Sequence, residues 1–73
     1  MSAESAIVDS LTKRELETLQ WLAKGLDTRS IATHIGVSVN TVRTWRQYLA
    51  YKLDTHSQIQ TVRRGFKLRL IDL

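Results

Sequence analysis

Two helical patterns separated by a tight turn occupy residues 31–53 of this 73-residue chain. The first pattern ends at Gly36, and a glycine readily adopts the left-handed backbone conformation that terminates a helix. Ser38 lies two residues further on, and its hydroxyl group can cap the N-terminus of the second helix. This combination is typical of a helix-turn-helix, in which one helix braces the other. No other segment of the chain restricts the fold as strongly.

The rest of the sequence also indicates helices, because capping residues precede apolar residues at helical spacing. Thr12 and Glu15 form a capping-box pair. Ser57 and Gln60 form a second capping-box pair. Asp27, which lies between the two pairs in the sequence, can cap a further helix. No strand pattern is visible in the sequence. The sequence therefore predicts an all-α domain with four helices, near residues 13–24, 28–35, 39–53 and 58–68.

Residues 1–9 lack this periodicity and are expected to form a flexible or loosely docked tail, which leaves residues 10–73 as the domain. Within the last predicted helix, Gly65 either permits close contact with another helix or is a tolerated surface glycine. The residues predicted to face the core are Leu16, Leu19, Leu22, Ala23, Ile31, Ile35, Val42, Leu49 and Leu53.

The composition argues against several classes of protein. The chain has no cysteine, so it cannot form a disulfide framework or a thiolate metal site. No stretch resembles a signal peptide or reaches the ~18–20 apolar residues of a membrane span, which predicts a cytoplasmic protein that does not enter the membrane. The sequence has no nucleophile–base pair, metal-ligand set or phosphate-cradling loop, so we expect no enzyme activity, cofactor or small-molecule ligand.

The net charge of +4 is unevenly distributed. Residues 1–27 contain three basic and five acidic side chains, whereas residues 28–73 contain eight basic and two acidic ones. An anionic partner is therefore expected to meet the C-terminal two-thirds of the chain. A solvated basic face is the alternative explanation of the same charges.

The helix predicted over residues 39–53 has a polar side that is suited to base recognition. On a 3.6-residue period, the four polar residues that project away from the core are Asn40, Arg43, Thr44 and Gln47. Arginine can bond bidentately to guanine, asparagine or glutamine can bond to adenine, and a threonine methyl group can touch thymine. These four residues are the predicted base contacts to double-stranded DNA.

Residues around this side are candidates for phosphate contacts, which set register and not sequence preference. Thr41 stands at the helix N-terminus, where free N–H groups and the helix dipole favour an anion. The full predicted set is Arg29, Ser38, Thr41, Arg46 and Lys52. The aromatic residues of the same helix are expected to pack in the core or an interface, because single-strand binders usually present aromatics on an open sheet; they are Trp45, Tyr48 and Tyr51.

Taken together, these residues resemble the LuxR/GerE-type helix-turn-helix domain. The matching segments are LTKREL, LAKGL, IA, GVS, NTVRT and KL, followed by Thr55 and Ser57 at the start of the last helix. The resemblance extends from about Ser10 to Ile71. A sensor or receiver domain is usual in this family, so the chain is most similar to the small free-standing GerE type or to an excised effector domain.

The resemblance implies a bacterial transcription regulator that binds double-stranded DNA as a homodimer, with the third predicted helix in the major groove. It assigns base contacts to Arg43, Thr44 and Gln47, and a phosphate contact to Thr41. It assigns the dimer interface to the last helix, at Ile59, Val62, Arg63, Gly65 and Phe66. It also implies a location on the nucleoid, and RNA polymerase or a larger LuxR-type regulator as a further partner.

Three residues depart from the family's pattern, since a histidine is usual at Trp45, a glutamate at Ser30, and a glycine or asparagine at Asp54. Two other interpretations remain open. Region four of a bacterial sigma factor shares the LT-x-RE opening and the GVS-x-x-TVR turn, although it normally ends soon after the recognition helix. A small antagonist would instead use the last helix to capture a full-length LuxR-type regulator without binding DNA productively.

Overall fold

Five helices make up the protein in a computed structural model that describes residues 3–72. The helices are α1 Ala3–Ser10, α2 Lys13–Ala23, α3 Thr28–Ile35, α4 Val39–Leu53 and α5 Gln58–Lys67. No strand occurs among the described residues. The all-α prediction is confirmed, and α2–α5 are the four helices expected from the sequence, each with its ends within one residue of the prediction.

The N-terminal helix α1 differs from the prediction, because a flexible or loosely docked tail was expected there. Ile7 packs against the hydrophobic core, and the carbonyl oxygen of Ser10 accepts a hydrogen bond from Lys52 Nζ at 2.7 Å. Both contacts are tertiary, so the periodicity of such a short segment could not reveal them. The first two residues of the expected tail lie outside the described residues.

Side-chain caps begin α2 and α5, as the sequence predicted. Thr12 and Glu15 exchange hydrogen bonds of 3.1 and 2.9 Å and complete a capping box. In α5, Ser57 Oγ accepts from the Gln60 N–H at 3.2 Å. The Gln60 side chain accepts at 2.8 Å from the N–H of His56 and not from that of Ser57, so the reciprocal bond of this pair is displaced by one residue.

The turn between α3 and α4 is formed by the two residues that predicted it. Gly36 adopts a φ of +84°, in the left-handed region that glycine occupies without steric cost. Ser38 Oγ accepts from the Thr41 N–H at 3.1 Å and starts α4. These local hydrogen bonds and dihedral angles fix where the exposed N-terminal half of α4 begins.

Asp27 caps α3 by accepting a hydrogen bond from the Ser30 N–H at 2.8 Å. The hydrogen bonds from Ser30 lower the pKa of the Asp27 carboxyl group, since they favour its charged form. The cap is therefore at full strength above the ordinary aspartate pKa of 3.8 and weakens as the pH falls below it.

The core lies between α2, α3 and α4 and is covered by α5 and the C-terminal segment. The predicted core residues that are buried are Leu19, Leu22, Ile31, Val42, Leu49 and Leu53. Ile71 is also buried, although it follows the last helix, where helical periodicity no longer identifies inward positions. None of the helices within residues 3–72 is long and apolar enough to span a membrane.

Gly65 is buried where α5 crosses α2. A Cβ atom at this position would lie 3.0 Å from Leu19 Cδ2 and 3.1 Å from Ile71 Cδ1, which is closer than ordinary van der Waals contact. The glycine therefore allows close packing within the chain. The expectation that Gly65 forms part of a dimer interface is corrected, because this position faces the protein's own core.

Candidate nucleic-acid interface

The outward side of α4 carries the four side chains that were predicted to contact bases. This reading face is defined as Asn40, Arg43, Thr44 and Gln47, all of which are exposed. Because an α-helix has 3.6 residues per turn, the four side chains share one surface about two turns long. The opposite side of α4 is anchored in the core by the buried residues Val42, Leu49 and Leu53. The reading face is thus both accessible and rigidly supported.

Two hydrogen bonds organise the reading face. Arg43 Nη1 donates to Asn40 Oδ1 at 3.3 Å, one helical turn away. Thr44 Oγ1 donates to the carbonyl oxygen of Asn40 at 3.1 Å and leaves its methyl group for apolar contact. The Arg43 guanidinium has five N–H donors, so one bond to Asn40 leaves enough donors for a bidentate contact with a base.

Several residues that were predicted to contact phosphates lie at or near the start of α4. Ser38 Oγ and Thr41 Oγ1 lie 2.8 Å apart, and Ser38 is also the N-cap. Ser38 is exposed and Thr41 is half-buried, while Arg29 is exposed on α3. Contacts from these three residues to phosphate remain predictions.

Lys52 makes structural contacts within the chain, and its predicted contact with a phosphate stays a prediction. Its Nζ donates to the carbonyl oxygen of Ser10 at 2.7 Å and forms a 2.8 Å ion pair with Glu15 Oε1. The Glu15 side chain is only 3% exposed. The Lys52 ammonium group is therefore held between α1 and α2 by acceptors of the protein itself.

Arg46 also makes contacts that the sequence did not indicate. Its Nη1 donates to Thr28 Oγ1, and its Nη2 donates to Gln58 Oε1 at 3.2 Å. Arg46 is half-buried, in contrast to the exposed Arg43 and Arg29. The side chain links α4 to the first residues of α3 and α5.

An open groove of about 340 Å³ lies beside the reading face, between α4 and the start of α5. The residues that line it include Arg43, Arg46, Gln47, Ala50, His56 and Gln58. Sequence reasoning missed this groove, because its two sides come from segments that only the fold brings together.

The three aromatic side chains of α4 have different environments. Trp45 packs against the core, and the guanidinium carbon of Arg14 lies 5.9 Å from its ring centroid, as expected for a packing residue. Tyr48 and Tyr51 are 53% and 85% exposed, so they do not pack in the core of this chain, and their packing in an interface stays a prediction. Both rings extend the exposed surface of α4 beyond the reading face.

Several of the residues predicted to form a dimer interface lie on the outer side of α5. Ile59 and Phe66 are large apolar residues that are 66% and 36% exposed. Arg63 is exposed and Val62 is half-buried on the same helix. Ile59, Arg63 and Phe66 are therefore accessible to a partner, whereas Val62 packs partly against the core.

Comparison with known proteins gives a consistent match over most of the chain. The model of the GerE family, described as bacterial regulatory proteins of the luxR family, matches residues 9–64. The oxygen regulatory protein NreC of Staphylococcus haemolyticus (strain JCSC1435) is 40% identical over 62 residues, which cover 85% of this chain and 29% of that protein. The transcriptional regulatory protein UhpA of Escherichia coli (strain K12) is 38% identical over 58 residues, covering 80% of this chain and 30% of its own length. The chain thus spans less than a third of these relatives.

Proposed function

Because the chain belongs to the luxR family of bacterial regulatory proteins and is a DNA-binding transcription-regulator domain of that family, we propose that it reads specific double-stranded DNA sequences. In this proposal α4 enters the major groove, and the base contacts are Asn40, Arg43, Thr44 and Gln47. Arg29, Ser38 and Thr41 contact phosphates and set the register. The observation that supports the proposal is the exposed reading face on a helix anchored in the core.

The chemistry of the reading face fits the edges of base pairs. The major groove is wide enough to admit an α-helix, and a helix-turn-helix presents the N-terminal residues of its second helix to the bases. Arg43 supplies paired donors for guanine, and Asn40 and Gln47 supply the donor and acceptor that adenine requires. The excess of basic residues after residue 27 supplies attraction to the phosphates. We further propose that the protein acts in the cytoplasm, on the nucleoid.

Replacing Arg43 with alanine should remove sequence discrimination at the base pair that this residue reads. We expect a loss of about 1–3 kcal/mol in the preference for that base pair, as for a bidentate arginine contact. The measurement is selection of binding sites from a random duplex library, followed by quantitative footprinting of both proteins on the selected site.

The matched control for this experiment is Arg29→Ala, which removes an equal charge from an exposed position outside the reading face. Loss of a phosphate contact should weaken binding to all sequences by a similar factor. An Arg43→Ala protein that keeps the wild-type sequence preference would refute the base-contact assignment.

We also propose that two copies bind one site through α5, with half-sites about 10 base pairs apart. The exposed apolar residues Ile59 and Phe66 support this, because a partner would remove them from water.

Sedimentation with the selected duplex should give two proteins per duplex for the wild type and one for an Ile59→Ser/Phe66→Ser variant. Tyr51→Ser, which removes an exposed ring from α4, should keep two. A wild-type complex that saturates at one protein would contradict dimeric binding.

The same exposed side chains on α5 would also suit capture of a larger LuxR-type regulator, which is the alternative function. The duplex selection separates the two possibilities. An antagonist would enrich no sequence, whereas a DNA reader would enrich one motif that depends on Arg43. A contact with RNA polymerase would be an additional interaction of the DNA-bound protein.

A further inference from the structure

Of the two arginines in α4, Arg46 is the one whose side chain hydrogen-bonds to two other helices. Its guanidinium donates to the hydroxyl group of Thr28 and, at 3.2 Å, to Oε1 of Gln58. Thr28 is the first residue of α3, and Gln58 is the first residue of α5. One planar side chain therefore joins the beginnings of both helices to the middle of α4.

The hydrogen bonds of Arg46 lie beside the open groove between α4 and the start of α5, which apolar side chains do not fill. Arg46 and Gln58 both line the open groove between α4 and α5, so their hydrogen bond lies at the wall of that groove. On a 3.6-residue period, Arg46 lies close to the buried residues Val42 and Leu49, at the edge of the core side of α4. Through these two hydrogen bonds, Arg46 adds a polar restraint on the rotation of α4 and on the separation between α4 and α5 at the edge of the core.

We propose that Arg46 is a positioning residue for DNA reading and not a phosphate contact. It lies one residue before Gln47 and one helical turn after Arg43, so restraint of Arg46 is transmitted directly to the reading face. Because it also fixes the start of α5, it sets the angle between the reading face and the proposed dimer helix. This inference rests on the proposed function, since it concerns how the same face is aimed at two half-sites.

Two uncharged substitutions test this role without changing the net charge. Gln58→Leu and Thr28→Val each remove one acceptor of the Arg46 side chain. We expect each to weaken binding to the selected duplex about three- to tenfold, as coupled contacts typically do, while the dependence of affinity on salt stays unchanged. Arg46→Met should produce at least as large a loss, and adding Gln58→Leu to it should produce no further loss.

The salt dependence separates positioning from phosphate contact. The logarithm of affinity falls linearly with the logarithm of salt concentration. Loss of one phosphate-contacting charge makes this slope less steep by about one. Arg29→Met is the matched control in which we expect that change, whereas Arg46→Met should keep the wild-type slope. Thermal unfolding of each variant checks the fold, and Gln58→Leu, at an exposed position, preserves the test if Arg46→Met does not fold.

Two outcomes would overturn the inference. One is a slope for Arg46→Met reduced as much as that of Arg29→Met, and the other is full affinity in both Gln58→Leu and Thr28→Val. A wild-type protein that selects no sequence from the duplex library would instead refute the proposed function, and the positioning role would fall with it.

Discussion

Replacing Glu15 with alanine is expected to lower the free energy of unfolding by about 3 kcal/mol, a large part of the total for a domain of this size. The buried carboxylate of Glu15 accepts hydrogen bonds from Lys52 Nζ at 2.8 Å and from the Thr12 N–H at 2.9 Å. Alanine would leave both donors without this acceptor and would remove the ion pair that links α2 to the C-terminal half of α4. Thermal unfolding should show a decrease in Tm of more than ~10 °C.

Glu17→Ala is the matched control, because it removes the same functional group from the same helix. The ion pair of Glu17 with Arg14 spans 3.2 Å, but the two side chains are 31% and 51% exposed. Exposed pairs at this spacing stabilise a helix by only about 0.5 kcal/mol or less. Glu15→Gln should fall between the two, since the amide oxygen can still accept from Thr12. Equal losses for Glu15→Ala and Glu17→Ala would contradict the role assigned to the buried pair.

Replacing Gly65 with valine is expected to destabilise the protein by about 2–3 kcal/mol, because the added atoms overfill a closely packed crossing. Even a single Cβ at this position would lie 3.0 Å from Leu19 Cδ2 and 3.1 Å from Ile71 Cδ1. Leu19 is completely buried and has little room to move. Urea denaturation should therefore show a lower midpoint with a similar slope.

Two further variants test the packing explanation of Gly65. Gly65→Ala should cost less than valine, because better helix propensity offsets part of the steric conflict. In the double variant Gly65→Val/Leu19→Ala, the cavity left by Leu19 can accommodate the valine, so its total loss should be smaller than the sum of the single losses. Additive losses, or a Gly65→Val protein as stable as the wild type, would refute the packing role.

Much of the fold was predictable because local interactions specify it. The caps at Thr12, Asp27, Ser38 and Ser57 act on N–H groups three residues away, and the left-handed turn requires only Gly36 itself. These signals placed the ends of α2–α5 within one residue. The helix α1 was missed, because its docking depends on Ile7 and on the distant Lys52.

The reading face could likewise be predicted from sequence, since the 3.6-residue period separates Asn40, Arg43, Thr44 and Gln47 from the core side of the helix. Core packing does not hold for Tyr48 and Tyr51, because the fold of the single chain provides no neighbour that covers these two rings, and interface packing stays a prediction. The groove beside Gln47 was not predictable, since it depends on how α5 lies against α4.

The sequence by itself determined the helices, the turn and the polar identity of the exposed side of α4. Only the tertiary structure decided which basic side chains remain available to an anionic partner. Lys52 and Arg46 look like free cations in the sequence, but the fold brings acceptors to them from residues 37 and 42 positions away for Lys52, and 18 and 12 positions away for Arg46. Long charged side chains bond to whatever acceptor packing places within reach, and spacing along the chain does not reveal that acceptor. Gly65 is a second example of a requirement set by the tertiary structure. A side chain is disfavoured at this position only because α5 packs closely against Leu19.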